Sequence, residues 1–201
     1  MRTYYSQEQC ESRACWMLIR FQRQLGTHLA LPVDVDLLGE LTCGLTWDWA
    51  DIDEPEGTTI WARLVPSARR VDLNERRAAT LNRVQGLDRF TRAHEIGHWD
   101  LHATQPNPQQ LSLLEAEPAP EVTFCRGRDE SWPERQADWY AAALLMPPDL
   151  FPAAARRFDL TRWDDMREMK KLCNVSWQAL SIRLETFAIP YVDHTGAMHG
   201  G

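Results

Sequence analysis

The sequence predicts an α+β fold in which a small twisted β-sheet packs against a helix and a helical C-terminal subdomain follows. Apolar residues recur in several stretches at the three- and four-residue steps of an amphipathic helix, whereas only two short segments are rich in β-branched residues. Size is a further observation, because 201 residues, 44% of them hydrophobic, can bury a core without help from a metal or a disulfide. Any metal site in this chain is therefore expected to serve chemistry.

Composition limits the kinds of partner. The 29 acidic and 22 basic residues leave a formal charge of -7, which argues against a main partner made of phosphate backbone. The five cysteines show no paired spacing, as is typical of reduced thiols. Neither a signal peptide nor an apolar run of about eighteen residues is found. We expect a soluble, cytoplasmic protein with no membrane partner and no direct nucleic-acid partner.

The N-terminal part begins with an amphipathic helix. Ser6 and Gln9 have the spacing of a capping box, apolar residues follow at helical steps, and Gly26 is a typical helix end. A shorter helix is predicted over 33–44, with Asp34 as its N-cap.

Two strands are predicted next, over 58–65 and 69–75. Both are rich in β-branched residues, and the short gap between them predicts a hairpin. A helix is then predicted from about residue 78 to about residue 102, and Gly86 is the residue at which it would break.

The stretch 104–152 contains eight of the twelve prolines, and its first part is interpreted as a long surface loop. A helix with clear boundaries ends it. Ser131 is a good N-cap, Pro133 lies in the first turn where its missing N–H costs nothing, and Pro147 stops the helix. Ala137 has no bulk, so this helix can approach the preceding one closely.

Two helices joined at 174–176 are predicted near the end of the sequence, with Ser176 capping the second. The chain is accordingly divided into an N-terminal helix (1–30), a core (31–152) and a helical C-terminal subdomain (153–201). Over 156–186, seven basic and five acidic side chains leave little net charge, which argues against a DNA-reading role.

The strongest chemical signal is the motif His94-Glu95-Ile96-Gly97-His98. On a helix, residues four apart lie about 40° apart on one face, so both imidazoles can meet one ion. Glu95 then reaches a water on that ion and can act as its general base. This pattern predicts a metal-dependent hydrolase.

A catalytic zinc site needs a third protein ligand. His102 is badly placed, because helical geometry puts it about 6 Å further along the axis than His98 and about 80° round from His94. Glu134 is the better candidate, and Asp138, one turn later, could accept the distal N–H of a ligating histidine. Ser131 and Glu134 also have the spacing of a capping box, in which the carboxylate would only satisfy a backbone N–H. Spacing leaves both roles of Glu134 open.

The segment FTRAHEIGHWDLH, followed later by WPERQADWYAAALLMP, resembles the ImmA/IrrE family of zinc metallopeptidases over approximately residues 30–150. The resemblance implies a zincin-like core of gluzincin type, one Zn²⁺ held by His94, His98 and Glu134, and Glu95 as the catalytic residue. Asp138 and Tyr140 stand where asparagine and phenylalanine are common in the family, and neither position is a ligand.

The resemblance also implies a substrate and a C-terminal element. The expected substrate is a helix-turn-helix transcriptional repressor, whose cleavage derepresses stress-response or mobile-element genes. The segment NVSWQALSIRLETF resembles the helix-turn-helix-like pair that follows the peptidase core in many members. A rival hypothesis is a zincin scaffold that binds and sequesters a repressor without cutting it.

Several further site residues remain candidates. Arg126, Tyr140, Tyr191 and His102 could each supply the hydrogen-bond donor that a tetrahedral intermediate needs. Cys125 could place its thiolate on the open zinc position and hold the enzyme latent. Two imidazoles and a carboxylate suit zinc, but they also suit manganese or iron.

Overall fold

The computed structural model describes residues 4–103 and 131–200, together with the backbone of 124–125 between them. Helices dominate this part of the chain: α1 (Gln7–Leu25), α2 (Val35–Leu38), α3 (Ala78–Arg83), α4 (Gln85–His98), α5 (Trp132–Leu145), α6 (Phe151–Ala155), α7 (Trp163–Cys173) and α8 (Trp177–Thr186). The strands are β1 (Thr46–Ala50), β2 (Ala62–Val65), β3 (Arg70–Asn74), β4 (Phe124–Cys125), β5 (Tyr191–Val192) and β6 (Met198–His199). The predicted α+β class is confirmed.

The predicted caps of the first two helices are confirmed. Ser6 Oγ accepts a hydrogen bond from the Gln9 amide at 3.2 Å, and the Gln9 side chain accepts one from the Ser6 amide at 2.8 Å. Gly26 ends α1 in the left-handed conformation that glycine favours, with a φ of 68°. Asp34 caps α2, which continues as a π-helical turn over Gly39–Cys43.

The main sheet has four strands in the order β1-β3-β2-β4. The predicted hairpin is confirmed as the antiparallel pair of β2 and β3, although its first strand begins only at Ala62. Strand β1 was not predicted. It pairs parallel to β3, and its alternation of Trp47 and Trp49 with polar residues is the local signal that could have indicated a strand.

The predicted long helix breaks at Val84 rather than at Gly86. Val84 has φ -113° and ψ 76°, outside the helical region, and it separates α3 from α4. Gly86 has a different role, because a Cβ at this position would lie 2.6 Å from the backbone carbonyl carbon of Val175. The glycine lets the start of α4 pack directly against the turn between α7 and α8.

Helix α5 packs closely against α4, as its small residues predicted. A Cβ at Gly97 would lie 3.2 Å from both the Cα and the carbonyl oxygen of Ala137. Helix α1 packs against α5 as well, and one hydrophobic core runs from α1 to the C-terminal hairpin. The division of the chain at residues 30 and 152 stays a prediction.

The two C-terminal helices are joined at 174–176, and Ser176 caps the second, as predicted. Asn174 takes a left-handed conformation with a φ of 51°, and Ser176 Oγ accepts a hydrogen bond from the Ala179 amide at 3.1 Å. The short antiparallel pair of β5 and β6 follows, which was not predicted. Among the described residues, no helix combines the length and apolar character needed to cross a bilayer. The likenesses to a zincin core and to a helix-turn-helix pair stay predictions.

Candidate metal centre

Helix α4 brings two histidines together inside the protein. His94 and His98 lie one turn apart on a face that is 1% and 0% exposed, and their Nε2 atoms are 2.9 Å from each other. Ala93, Ile96 and Gly97 are buried as well, so the protein encloses this end of α4 on several sides. The two imidazoles therefore share one face of the helix, as residues four positions apart are expected to do.

Glu134 on α5 completes the cluster. Its Oε2 lies 3.1 Å from His94 Nε2, and its Oε1 lies 3.1 Å from His98 Nε2. Ser131 is the N-cap of α5, but within the described residues no capping hydrogen bond joins its side chain to the helix. Of the two roles that spacing left open, the structure favours that of a ligand.

The three side chains fit a metal ion. Among the residues that the structure describes, His94, His98 and Glu134 are the one group of potential ligands that converges, with all ligand atoms within 4.8 Å of one another. The contacts of 2.9–3.1 Å are close to the tetrahedron edge of about 3.3 Å that Zn–N bonds of about 2.0 Å require. His102 does not join the cluster, and its ring centroid lies 5.6 Å from that of His98.

Asp138 holds one of the histidines from behind. His94 Nδ1 donates to Asp138 Oδ1 at 2.9 Å, and the Asp138 side chain is about half exposed. A proton on Nδ1 leaves the lone pair of Nε2 directed into the cluster, where an ion would need it. This contact is the one that the spacing of Glu134 and Asp138 predicted.

The environment keeps the ligands in the protonation states that bind metals. Burial lowers the pKa of His98 to about 4, and the adjacent His94 adds to the shift. Burial alone would raise the pKa of Glu134, but its contacts with the imidazoles of His94 and His98 outweigh burial and lower this pKa to about 2. A neutral imidazole and an ionised carboxylate are thus present at neutral pH.

Glu95 lies beside the ligands in the same helical turn, and it is fully buried. An ionised carboxylate in such a place costs free energy unless a charge or a hydrogen bond compensates it. Glu95 is not one of the three converging ligands, so a role for it in the site would differ from theirs.

The model of the Peptidase_M78 family, described as the IrrE N-terminal-like domain, matches residues 82–185. The chain belongs to this family. The matched range is more than half of the chain and includes both histidines, Glu95 and Glu134. No curated protein matches the chain. Membership in Peptidase_M78 indicates a metallopeptidase, and it confirms the resemblance to the ImmA/IrrE family.

The other side chains predicted for this Peptidase_M78 site lie in different places. Tyr140 is fully buried on the side of α5 that packs against Gly97, and burial raises its pKa well above the usual value. Tyr191 lies in the C-terminal hairpin, where its hydroxyl donates to Glu185 Oε1 at 2.8 Å. Arg126 and the Cys125 side chain lie outside the described residues. Their roles stay predictions, as does that of His102.

Sequence reasoning missed one set of contacts near the site. Arg13 on α1 binds Asp100, which lies just after His98 in a π-helical turn over Trp99–Ala103. The two residues are 87 positions apart, so no local spacing could have indicated the pair.

Proposed function

We propose that this chain is a zinc-dependent endopeptidase that cleaves one specific protein. The observation that supports the proposal is the buried cluster of His94, His98 and Glu134, with Asp138 behind it and Glu95 beside it. When bound, a zinc ion supplies Lewis-acid chemistry, since it lowers the pKa of a coordinated water towards about 7 and polarises a carbonyl oxygen.

The side chains divide the remaining work. Glu95 accepts a proton from the attacking water as the oxygen bonds to the peptide carbonyl carbon, and it returns a proton to the leaving amine as the C–N bond breaks. Asp138 keeps the His94 ring in one tautomer and one orientation. Burial of the ligands excludes bulk water, which strengthens the electrostatic contacts within the site.

The proposed substrate is a helix-turn-helix repressor with a basic DNA-binding surface, encountered in the cytoplasm. The formal charge of -7 supports a basic partner, because opposite charges steer association. Strand β4 forms one edge of the four-stranded sheet, next to β2, against which α4 packs. An extended substrate segment would add to the sheet at this edge.

The test is co-expression with the repressor encoded by the neighbouring gene, followed by mass spectrometry of the repressor. Wild-type protein should produce a single cut, and Glu95→Gln should slow cleavage by about 10²–10⁴-fold while zinc content stays unchanged. Glu40→Gln, at an exposed position, is the matched control and should cleave normally. Equal cleavage by wild type and Glu95→Gln would contradict the mechanism.

The alternative is a scaffold that binds the repressor without cutting it. The position of Glu95 beside the ligands speaks against the scaffold, since a hydrolase needs a general base there and a pure binder needs the ligands at most. Derepression of the target genes without any cut in the repressor would favour the scaffold over the peptidase.

A further inference from the structure

Helix α1 is hydrogen-bonded to the turn that follows α4. Arg13 Nε donates to Asp100 Oδ2 at 3.0 Å and Nη2 donates to Oδ1 at 3.1 Å, which is the forked geometry of a strong charge-assisted pair. Nη2 also donates to the backbone carbonyl of Asp100 at 3.0 Å. One side chain thus holds both the side chain and the backbone of the residue that lies two positions after His98.

The backbone carbonyls of the turn after α4 need hydrogen-bond donors from other parts of the protein. Residues Trp99–Ala103 form a π-helical turn, and carbonyls in the last turn of a helix have no intrahelical donor left. Arg13 supplies such a donor to the Asp100 carbonyl. The Asp100 side chain is only 14% exposed, so solvent screens this pair less than it screens a surface pair.

A second contact ties the same N-terminal region to the other ligand helix. Gln136, which is 1% exposed, donates from Nε2 to the backbone carbonyl of Tyr5 at 2.9 Å. Gln136 lies two positions after Glu134, the same offset that separates Asp100 from His98. Each ligand helix is therefore held from the N-terminal region at a corresponding point.

These contacts do what the packing of α4 on α5 cannot do alone. Close approach at Gly97 and Ala137 sets the distance between the helices, but apolar contact has no preferred direction along the helix axis. Hydrogen bonds are directional and fix that remaining freedom. Helix α1 lies outside the family match at 82–185, so this support comes from a part of the chain that the match does not cover.

We propose that Arg13 is a positioning residue for the metal site, which through Asp100 fixes the His98 imidazole relative to Glu134. This inference rests on the proposed metal site but not on peptidase activity. It predicts that the affinity for zinc depends on a side chain that contacts none of the three ligands.

The experiment compares Arg13→Gln with Arg20→Gln in the full-length protein. Arg20 is on the same helix and donates from Nη2 to the Thr42 carbonyl at 3.2 Å, away from the ligand helices. Zinc affinity is measured by competition with a chromophoric chelator, ligand geometry by the visible spectrum of the cobalt-substituted protein, and stability by urea unfolding of the metal-free chain. Arg13→Gln should weaken zinc binding by about 10-fold or more and alter the cobalt spectrum, whereas Arg20→Gln should change neither.

The outcomes separate the two proposals. If Arg13→Gln binds zinc as tightly as wild type with an unchanged cobalt spectrum, the positioning role is wrong, whatever happens to urea stability. If both variants weaken zinc equally, the effect belongs to α1 in general and Arg13 has no special role. Wild-type protein that binds no zinc would overturn the metal site and this inference together, whereas zinc binding without peptidase activity would overturn only the proposed function.

Discussion

Two regions of this molecule bury polar side chains in different ways. In the last turn of α8, Arg183 is 2% exposed, and its Nε and Nη1 donate to the Met146 carbonyl and to Glu11 Oε1 at 3.0 and 3.1 Å. In the ligand region, by contrast, Nε2 atoms of two imidazoles and both oxygens of Glu134 converge on one point. The contacts of Arg183 join α8 to α1 and to the end of α5, whereas the ligand cluster brings together atoms that can each donate an electron pair to a metal ion.

The difference indicates which region carries chemistry. A buried polar group costs free energy unless it finds a partner, and Arg183 finds partners that the protein itself supplies. Lone pairs that face one another are not natural partners, and a cation placed between them relieves their repulsion. Buried groups that complement each other indicate structure, whereas buried groups that compete for the same space indicate a ligand.

Removal of Glu134 should produce the largest effect. In Glu134→Ala the zinc affinity should fall by more than the roughly 10–100-fold that loss of a supporting contact costs, and cleavage should disappear. Metal-free Glu134→Ala should remain folded, because the carboxylate serves the ion more than the fold. Isothermal titration with zinc and circular dichroism measure the two quantities. A variant that unfolds, or that retains full zinc affinity, would erase the contrast with Arg183.

Replacement of Arg183 should have the opposite signature. Arg183→Met leaves the Glu11 carboxylate without its cation and should lower the free energy of unfolding by about 3 kcal/mol. Zinc affinity should stay unchanged, because Arg183 is bound to Met146 and Glu11 rather than to the ligands. Urea unfolding of the metal-free protein measures the first effect. An equal loss of zinc affinity in Arg183→Met would show that the two regions are coupled.

A smaller, mixed effect is expected at Gly97. A methyl group there would meet the Ala137 backbone at 3.2 Å, so α4 and α5 must move apart by a few tenths of an ångström. Gly97→Ala should lower the free energy of unfolding by about 1–2 kcal/mol and also weaken zinc binding, because both ligand helices move. The two assays above apply. A variant that is stabilised, with its zinc affinity intact, would mean that the contact is looser than the structure has it.

The smallest effect is expected in the sheet, where Asp72 is another buried polar group with partners of its own. Burial would raise the pKa of Asp72, but hydrogen bonds from Arg70 and Arg63 outweigh it and lower the pKa. A lowered folded pKa means that the ionised carboxylate stabilises the fold above the usual pKa of an aspartate, and that this contribution is lost as pH falls through the folded value.

In Asp72→Asn the free energy of unfolding should therefore fall less steeply as the pH becomes acidic, and zinc affinity at neutral pH should not change. Urea unfolding at a series of acidic pH values measures the slope for wild type and variant. Identical slopes would mean that the pKa of Asp72 is the same in the folded and unfolded states, which would contradict its contacts with Arg70 and Arg63.

The parts that the sequence predicted well are those that depend on neighbours within a few residues. The Ser6 and Gln9 capping box, the Asp34 and Ser176 caps and the shared face of His94 and His98 all follow from the geometry of one helical turn. Strand β1 was missed because β2 lies between it and its parallel partner β3 in the sequence, although β1 and β3 are neighbours in the sheet. A parallel pair is not joined by a hairpin turn, so no turn signal marks it.

The sequence by itself determined that α4 would carry two histidines and a glutamate in positions suited to a metal-dependent hydrolase, because side-chain direction on a helix depends only on the residue count. Tertiary structure decided that Glu134 turns to those histidines and that Arg13 supports them through Asp100. The physical reason is that the sequence offers a carboxylate or a guanidinium many possible partners, and nothing in the local spacing tells which of them will be near it in the folded chain. Packing of α1 and α4 against α5 selects among them.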